Sequence, residues 1–150
     1  MRRYGSSWVT GKALLVMSKR QRFNPPAPGD TLKGATYMQR TKVVYNNAFD
    51  VISGNARSQA AVMVLPPGES EGGKVNGHKG ADQWLYVAAG RGVATIDGKK
   101  HKLGRGTLLL IEHGEVHEIH NDGSHPLKTL NFYVPPAYNS DEDELPAGKS

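Results

Sequence analysis

Residues 106–121, GTLLLIEHGEVHEIHN, and residues 76–90, NGHKGADQWLYVAAG, decide the reading of this chain. In the first stretch Gly106 is followed after five residues by Glu112, then by Gly114, His117 and Asn121. In the second, Asn76 and His78 stand two apart, Gln83 follows after four residues, and six more lead to Gly90. Side chains two apart on an extended strand share a face. That parity groups Asn76 with His78, and Gln83 with Leu85 and Val87, and leaves Trp84 and Tyr86 on the opposite face. His117, Ile119 and Asn121 point together in the same way.

Outward from these stretches the chain keeps breaking into short strands. Residues 58–65 end at Pro66-Pro67-Gly68, and residues 84–88 end near Gly90. Residues 93–96 meet Asp97-Gly98, a hairpin signal because a type I′ turn needs positive φ at both central positions. Residues 99–103 are the return strand, followed by strands over 107–111, 116–120 and 127–134, the last stopped by Pro135-Pro136. At least seven short strands with close turns, and no helical periodicity over ten residues, predict an all-β sandwich or barrel over about 41–138. Gly92, Gly104 and Gly106 are expected at turns.

The paired spacing resembles the two motifs of the cupin superfamily, G-x5-H-x-H-x(3,4)-E-x6-G and G-x5-P-x-G-x2-H-x3-N. Gly106, Gly114, His117 and Asn121 match the second motif, with Glu112 where proline is usual. His78 and Gly90 match the first, with Asn76 at the first His position and Gln83 at the Glu position. The resemblance covers about residues 43–138 and implies a double-stranded β-helix, or jelly-roll, barrel. Asp82-Gln83, Ile96-Asp97-Gly98, Pro126-Leu127-Lys128 and Tyr133-Val134-Pro135-Pro136 look narrower still. They are similar to small single-domain cupins loosely called mannose-6-phosphate-isomerase-like, with a degenerate first motif.

In that superfamily the four positions commonly hold Fe, Mn, Ni or Zn through three His and one Glu. Here His78 and His117 keep their imidazoles, while Asn76 and Gln83 offer only neutral amide oxygens. A divalent ion would meet no carboxylate charge from these positions, and amide oxygens suit it less well than imidazole and carboxylate. Two outcomes stand open. Either Asn76, His78, Gln83 and His117 hold a divalent transition metal (Zn, Ni, Mn or Fe), or they form a metal-free polar floor for a ligand. With no cysteine in the chain, thiolate sites and disulfides are excluded.

Other side chains have simpler roles. Glu115 at the strand start can supply a carboxylate on the His117 face, although such a residue is usually solvated. His113 belongs to a surface loop, and His101, His120 and His125 to strand backs or turns. Trp84 and Tyr86, with Tyr133 and Tyr138, are expected to cover an open sheet face between two copies of the chain, a homodimer.

The net charge of +5 is not spread evenly. Residues 1–50 carry nine Lys/Arg against Asp30 and Asp50, whereas the remainder has ten bases and twelve acids. The basic character belongs to an N-terminal arm (residues 1–40, containing Asn24-Pro25-Pro26-Ala27-Pro28) and not to the barrel. A basic arm without a recognition motif does not amount to a specific nucleic-acid site. The first 22 residues read as an extension, with translation starting at Met17 or Met38, in preference to a transit peptide. The longest apolar run near the start, residues 13–17, is too short to enter a membrane or to serve a secretory signal. A cytoplasmic protein is expected. Residues 139–150, with Asp141-Glu142-Asp143-Glu144, read as an acidic disordered tail.

The function expected is binding of a small molecule, sugar-like or a carboxylate, between Asn76, His78, Gln83 and His117. The alternative is a metal-dependent enzyme of isomerase or dioxygenase type on an oxygenated substrate. A structural or regulatory barrel with a vestigial pocket is the third reading.

Overall fold

The computed structural model describes residues 38–139 and 141–149. The expectations for the basic arm fall almost wholly on residues 1–37, outside the described part.

Nine antiparallel strands form two sheets. They are β1 (Phe49–Gly54), β2 (Gln59–Leu65), β3 (Ser70–Gly72), β4 (Asp82–Ala89), β5 (Arg91–Ile96), β6 (Lys99–Gly104), β7 (Leu108–Ile111), β8 (His117–His120) and β9 (Leu127–Val134). One sheet has the order β1-β2-β9-β4-β7 and the other β3-β8-β5-β6. No helix occurs among the described residues, so none there is long and apolar enough to cross a membrane. The all-β double-stranded barrel expected from turn spacing is the fold observed.

Alternation does the sorting. In β4 the buried residues Gln83, Leu85 and Val87 interleave with exposed Trp84 and Tyr86. In β9 Leu127, Thr129, Asn131 and Tyr133 point inward while Phe132 and Val134 stay exposed. Leu65, Leu85, Val87, Ile111, Ile119 and Leu127 anchor the main core between the sheets. A smaller cluster of Ala61, Ala81, Tyr133 and Ala137 closes the other end, and the site lies against it. The Asp97-Gly98 hairpin has φ of 46° and 78°, the positive values that its sequence demands.

Four expectations need correction. Asn76 and His78 lie in a loop and not in a strand. That loop still runs beside the turn before β8, because His117 N donates to Asn76 O (2.9 Å) and Gly114 N to His78 O (2.7 Å). Gly92 sits inside β5, where a Cβ would strike the His120 carbonyl oxygen and Leu127; close approach, and not a turn, requires glycine there. Tyr133 and Tyr138 do not join the open sheet face: Tyr133 is buried, and the two rings pack together inside the barrel mouth.

The last correction concerns residues 139–150. Where the acidic composition suggests a disordered tail, residues 141–149 fold back over the barrel mouth. Lys79 N donates to Lys149 O (2.7 Å), Gly80 N to Ala147 O (3.0 Å) and Leu145 N to Ala137 O (2.7 Å). Gln59 supports the turn into this segment, donating to Tyr138 O (2.6 Å) and accepting from Tyr138 N (3.1 Å). The segment is ordered by backbone bonds, which composition does not reveal.

Candidate functional site

The barrel holds a cavity of about 250 Å³ between the two sheets, at the end closed by the C-terminal segment. Strands β1 and β2 supply Phe49, Met63 and Leu65; β4 supplies Gln83, and β9 supplies Tyr133. On the facing sheet, β3 and β8 supply Glu71, Gly72, His117 and Ile119. The loop before β4 adds Asn76 and His78, and the C-terminal segment adds Tyr138 and Glu142. All four residues singled out from the sequence therefore line one cavity.

Both imidazoles are oriented by backbone carbonyls. His117 Nδ1 lies 3.0 Å from Glu115 O, and His78 Nδ1 lies 3.0 Å from Gly148 O. A carbonyl oxygen only accepts, so each Nδ1 carries the proton and each Nε2 is turned away from its carbonyl. The rings stand 5.2 Å apart between centroids. His78 Nε2 is 3.1 Å from Gln83 Oε1, whereas His117 Nε2 has no hydrogen-bond partner among the described residues. Burial, opposed by the Glu115 carbonyl and aided by His78, lowers the His117 pKa below the ordinary histidine value. Its free nitrogen is thus an acceptor at neutral pH.

Behind His78 runs a buried amide chain. Gln83 Nε2 donates to Asn131 Oδ1 (3.2 Å), and Asn131 Nδ2 donates to Thr129 Oγ1 (3.0 Å). In this orientation Gln83 Oε1 faces His78 Nε2 and needs a proton there, which makes His78 an imidazolium. With neutral His78 the amides reverse together: Gln83 N–H donates to His78 Nε2, Asn131 to Gln83, and the Thr129 hydroxyl to Asn131. Either polarity satisfies every buried group, so Gln83 is tied up as a positioning residue for His78.

The aromatic side of the cavity was not foreseen. Tyr133 meets His78 edge-on at 5.2 Å, and Tyr138 packs on Tyr133 at 5.1 Å and on Phe49 at 4.9 Å. The two phenols are hydrogen-bonded to each other. Burial raises the Tyr133 pKa well above the ordinary phenol value. Burial, with the Glu144 and Glu71 carboxylates, pushes Tyr138 up to about 12. Both phenols therefore stay protonated at neutral pH and present hydroxyls. Parity along β9 carries a signal for Asn131 and Tyr133, since Thr129, Asn131 and Tyr133 alternate with Leu130, Phe132 and Val134. Glu71 faces inward because its cross-strand partner is the buried Ile119.

Other sequence candidates have structural roles. Glu115 Oε2 accepts from Glu112 N (2.8 Å) and so holds the turn before β8 instead of entering the cavity. His113 pairs with Asp82 at 2.8 Å on the surface. His120 bonds Ser70 Oγ at 2.9 Å, while His101 and His125 are exposed. Asn121, wholly buried, donates to Leu65 O (2.8 Å) and His125 O (2.9 Å) and joins two loops.

A metal centre of the type found in the superfamily does not fit this donor set. Two imidazole nitrogens and one amide oxygen converge, and the amide is engaged by His78. Among the described residues no three His, Asp or Glu side chains come close enough together to hold an ion.

Comparisons with known proteins agree with the fold. Residues 61–133 match the family described as Cupin_2, cupin domain. The chain is 28% identical over 89 residues to an uncharacterized protein of Methanocaldococcus jannaschii, covering 59% of this chain and 69% of that one. A crystal structure from Bacillus halodurans superposes with a TM-score of 0.55 at 26% identity, over 59% of this chain and 70% of that one. A Klebsiella pneumoniae protein with a double-stranded β-helix domain gives 0.53 at 21% identity, over 57% and 73%, and speaks for the fold alone. The match over residues 61–133, on two antiparallel sheets closed around a histidine-lined cavity, places this barrel in the cupin superfamily.

Proposed function

We propose that the barrel binds a small, oxygen-bearing molecule directly, through Asn76, His78, His117 and the paired phenols, without a resident metal ion. One observation carries this reading. His117 is 5% exposed, yet its Nε2 faces the cavity with no partner among the described residues. A buried acceptor without a partner costs free energy unless water or a ligand satisfies it. A ligand hydroxyl donating to that nitrogen, and accepting from Tyr133 or Tyr138, meets both demands. At about 250 Å³ the cavity lies below the roughly 300–1,000 Å³ of drug-sized sites, so the ligand is small.

The finer resemblance to mannose-6-phosphate-isomerase-like cupins rests on Asp82-Gln83 and Tyr133-Val134-Pro135-Pro136, and supports a sugar-like ligand over a metal-activated one. The alternative, a metal-dependent enzyme, is favoured by one feature, the pair of Nδ1-anchored imidazoles, an arrangement that metal-ligating histidines also adopt. Metal analysis of protein purified without an affinity tag separates the two. The expected result is well below one ion per chain, with polyol-induced shifts of the His117 ring in NMR unchanged by a chelator. A stoichiometric transition metal, whose removal abolishes those shifts, would establish the metal site instead. We further propose that the protein is a homodimer paired through the outer face of the larger sheet.

A further inference from the structure

The charge lining the cavity limits what it can take. Of the side chains that carry full charge at neutral pH, Glu71 and Glu142 line it, and no Lys or Arg does. Glu142 has a φ of 67°, an unusual backbone conformation for a residue with a side chain, and this position brings its carboxylate to the cavity. Its carboxyl is pushed above the ordinary range, first by burial and then by the neighbouring Asp50 carboxylate. The Glu71 carboxylate acts on both Tyr133 and Tyr138, and that of Glu144 on Tyr138. The mouth is therefore a region of crowded negative charge beside the rings of Phe49 and Tyr138, which pack 4.9 Å apart. Ring faces attract cations and repel anions. Deeper in, the 95%-buried His117 aims its unpartnered Nε2 into the same cavity, so the acidic mouth leads to an acceptor that awaits a donor.

From this juxtaposition we infer that the ligand is a small amino alcohol, its ammonium group held between Glu71, Glu142 and the Tyr138 ring, its hydroxyl donating to His117 Nε2. The inference rests on the proposed direct binding and deepens it by assigning charge. It excludes the carboxylate ligand that the sequence left open, because a carboxylate or phosphate would enter a cavity with no cationic Lys or Arg to receive it.

Three probes of equal skeleton test it: ethanolamine, ethylene glycol and glycolate, each carrying a hydroxyl and differing in charge. Titration into the full chain is followed by the NMR signals of the His117 and Tyr138 rings. Ethanolamine is expected to bind at least about tenfold more tightly than ethylene glycol, and glycolate more weakly than either. In the double variant Glu71→Gln/Glu142→Gln, ethanolamine should fall to the level of ethylene glycol, while ethylene glycol is unchanged. Both substitutions lie at the mouth and keep side-chain volume, and an unchanged amide spectrum away from the cavity verifies the fold. Glycolate binding as well as ethanolamine, or an ethanolamine advantage that survives the double variant, would overturn the charge assignment and leave the direct-binding reading intact. If none of the three moves the His117 ring at high millimolar concentration, the direct-binding reading falls, and the amino-alcohol assignment with it.

Discussion

The four side chains at the superfamily's metal positions can be rebuilt one atom set at a time. Asn76→His with Gln83→Glu adds an imidazole and a carboxylate to a cavity that already holds His78 and His117. The carboxylate matters twice, as a donor and as a negative charge where the dielectric is low. The double variant should bind Zn²⁺ more than about tenfold more tightly than the parent in a calorimetric titration at neutral pH, and His117→Ala should remove the gain. Equal affinity in parent and variant would show that these side chains do not converge. A second expectation concerns protons. The His117 pKa is lowered on folding from the usual 6.5, so below that value the unfolded chain takes up a proton that the folded chain refuses. Stability is thereby lost as the pH falls from about 6.5 towards the lowered folded value, and the loss levels off beneath it. His117→Gln should reduce the difference in urea midpoint between pH 7.5 and pH 5; an undiminished difference would place the acid sensitivity elsewhere. Residue spacing alone located His78, Gln83 and His117, because strand parity and fixed motif gaps determine which side chains meet. It missed Glu71, Tyr138 and Glu142, since a three-residue strand and an irregular segment carry no periodic signal.

At the scale of the element, the instructive piece is the C-terminal segment. Its run of four acids reads as solvated, and the side chains of residues 141–144 are indeed exposed. What holds it is backbone: Ala147 and Lys149 accept from the loop before β4, and Gly148 O accepts from His78. Gly148 is buried so closely that a Cβ would strike the Ala137 backbone carbonyl. Gly148→Ala should therefore lift the segment, remove the anchor from His78 Nδ1 and expose the Lys79 and Gly80 amides. Hydrogen exchange at those two amides should accelerate markedly while the β4 and β9 ladders keep their protection, because the core strands do not depend on the segment. Unchanged exchange would mean that the segment tolerates the methyl group, and that His78 is held otherwise. The strands themselves were legible because each follows the period-two rule between turn residues. β1 and β3 were not: β1 is half-buried throughout, without alternation, and β3 is too short to show any.

For the molecule as a whole, the outer face of the larger sheet is its largest unexplained surface. Trp84 pairs across strands with Leu110 on one side and Phe132 on the other, and Tyr86 pairs with Leu108 and Leu130. Trp84, Tyr86, Leu108, Leu110, Phe132 and Val134 are each 37–58% exposed, a contiguous apolar patch that runs out to β7, an edge strand. Monomeric proteins seldom leave such a patch, together with an unpaired strand edge, facing water. Part of the same face is covered from within the chain, where the Lys128 ammonium sits 5.9 Å above the Tyr45 ring, but the Trp84–Phe132 row lies beyond it. A twofold pairing of this row with its own copy would bury aromatic rings at the centre, where interface energy concentrates. The cavity opens between the sheets and does not share this face, so pairing leaves it accessible. Sedimentation at micromolar concentration should show a dimer for the parent and a monomer for Trp84→Lys/Phe132→Lys, both residues being exposed and dispensable to the core. The variant should keep the ethanolamine-induced shift of the His117 ring, which separates assembly from binding. A parent that sediments as a monomer at every concentration tested would show that the patch serves some contact other than self-pairing.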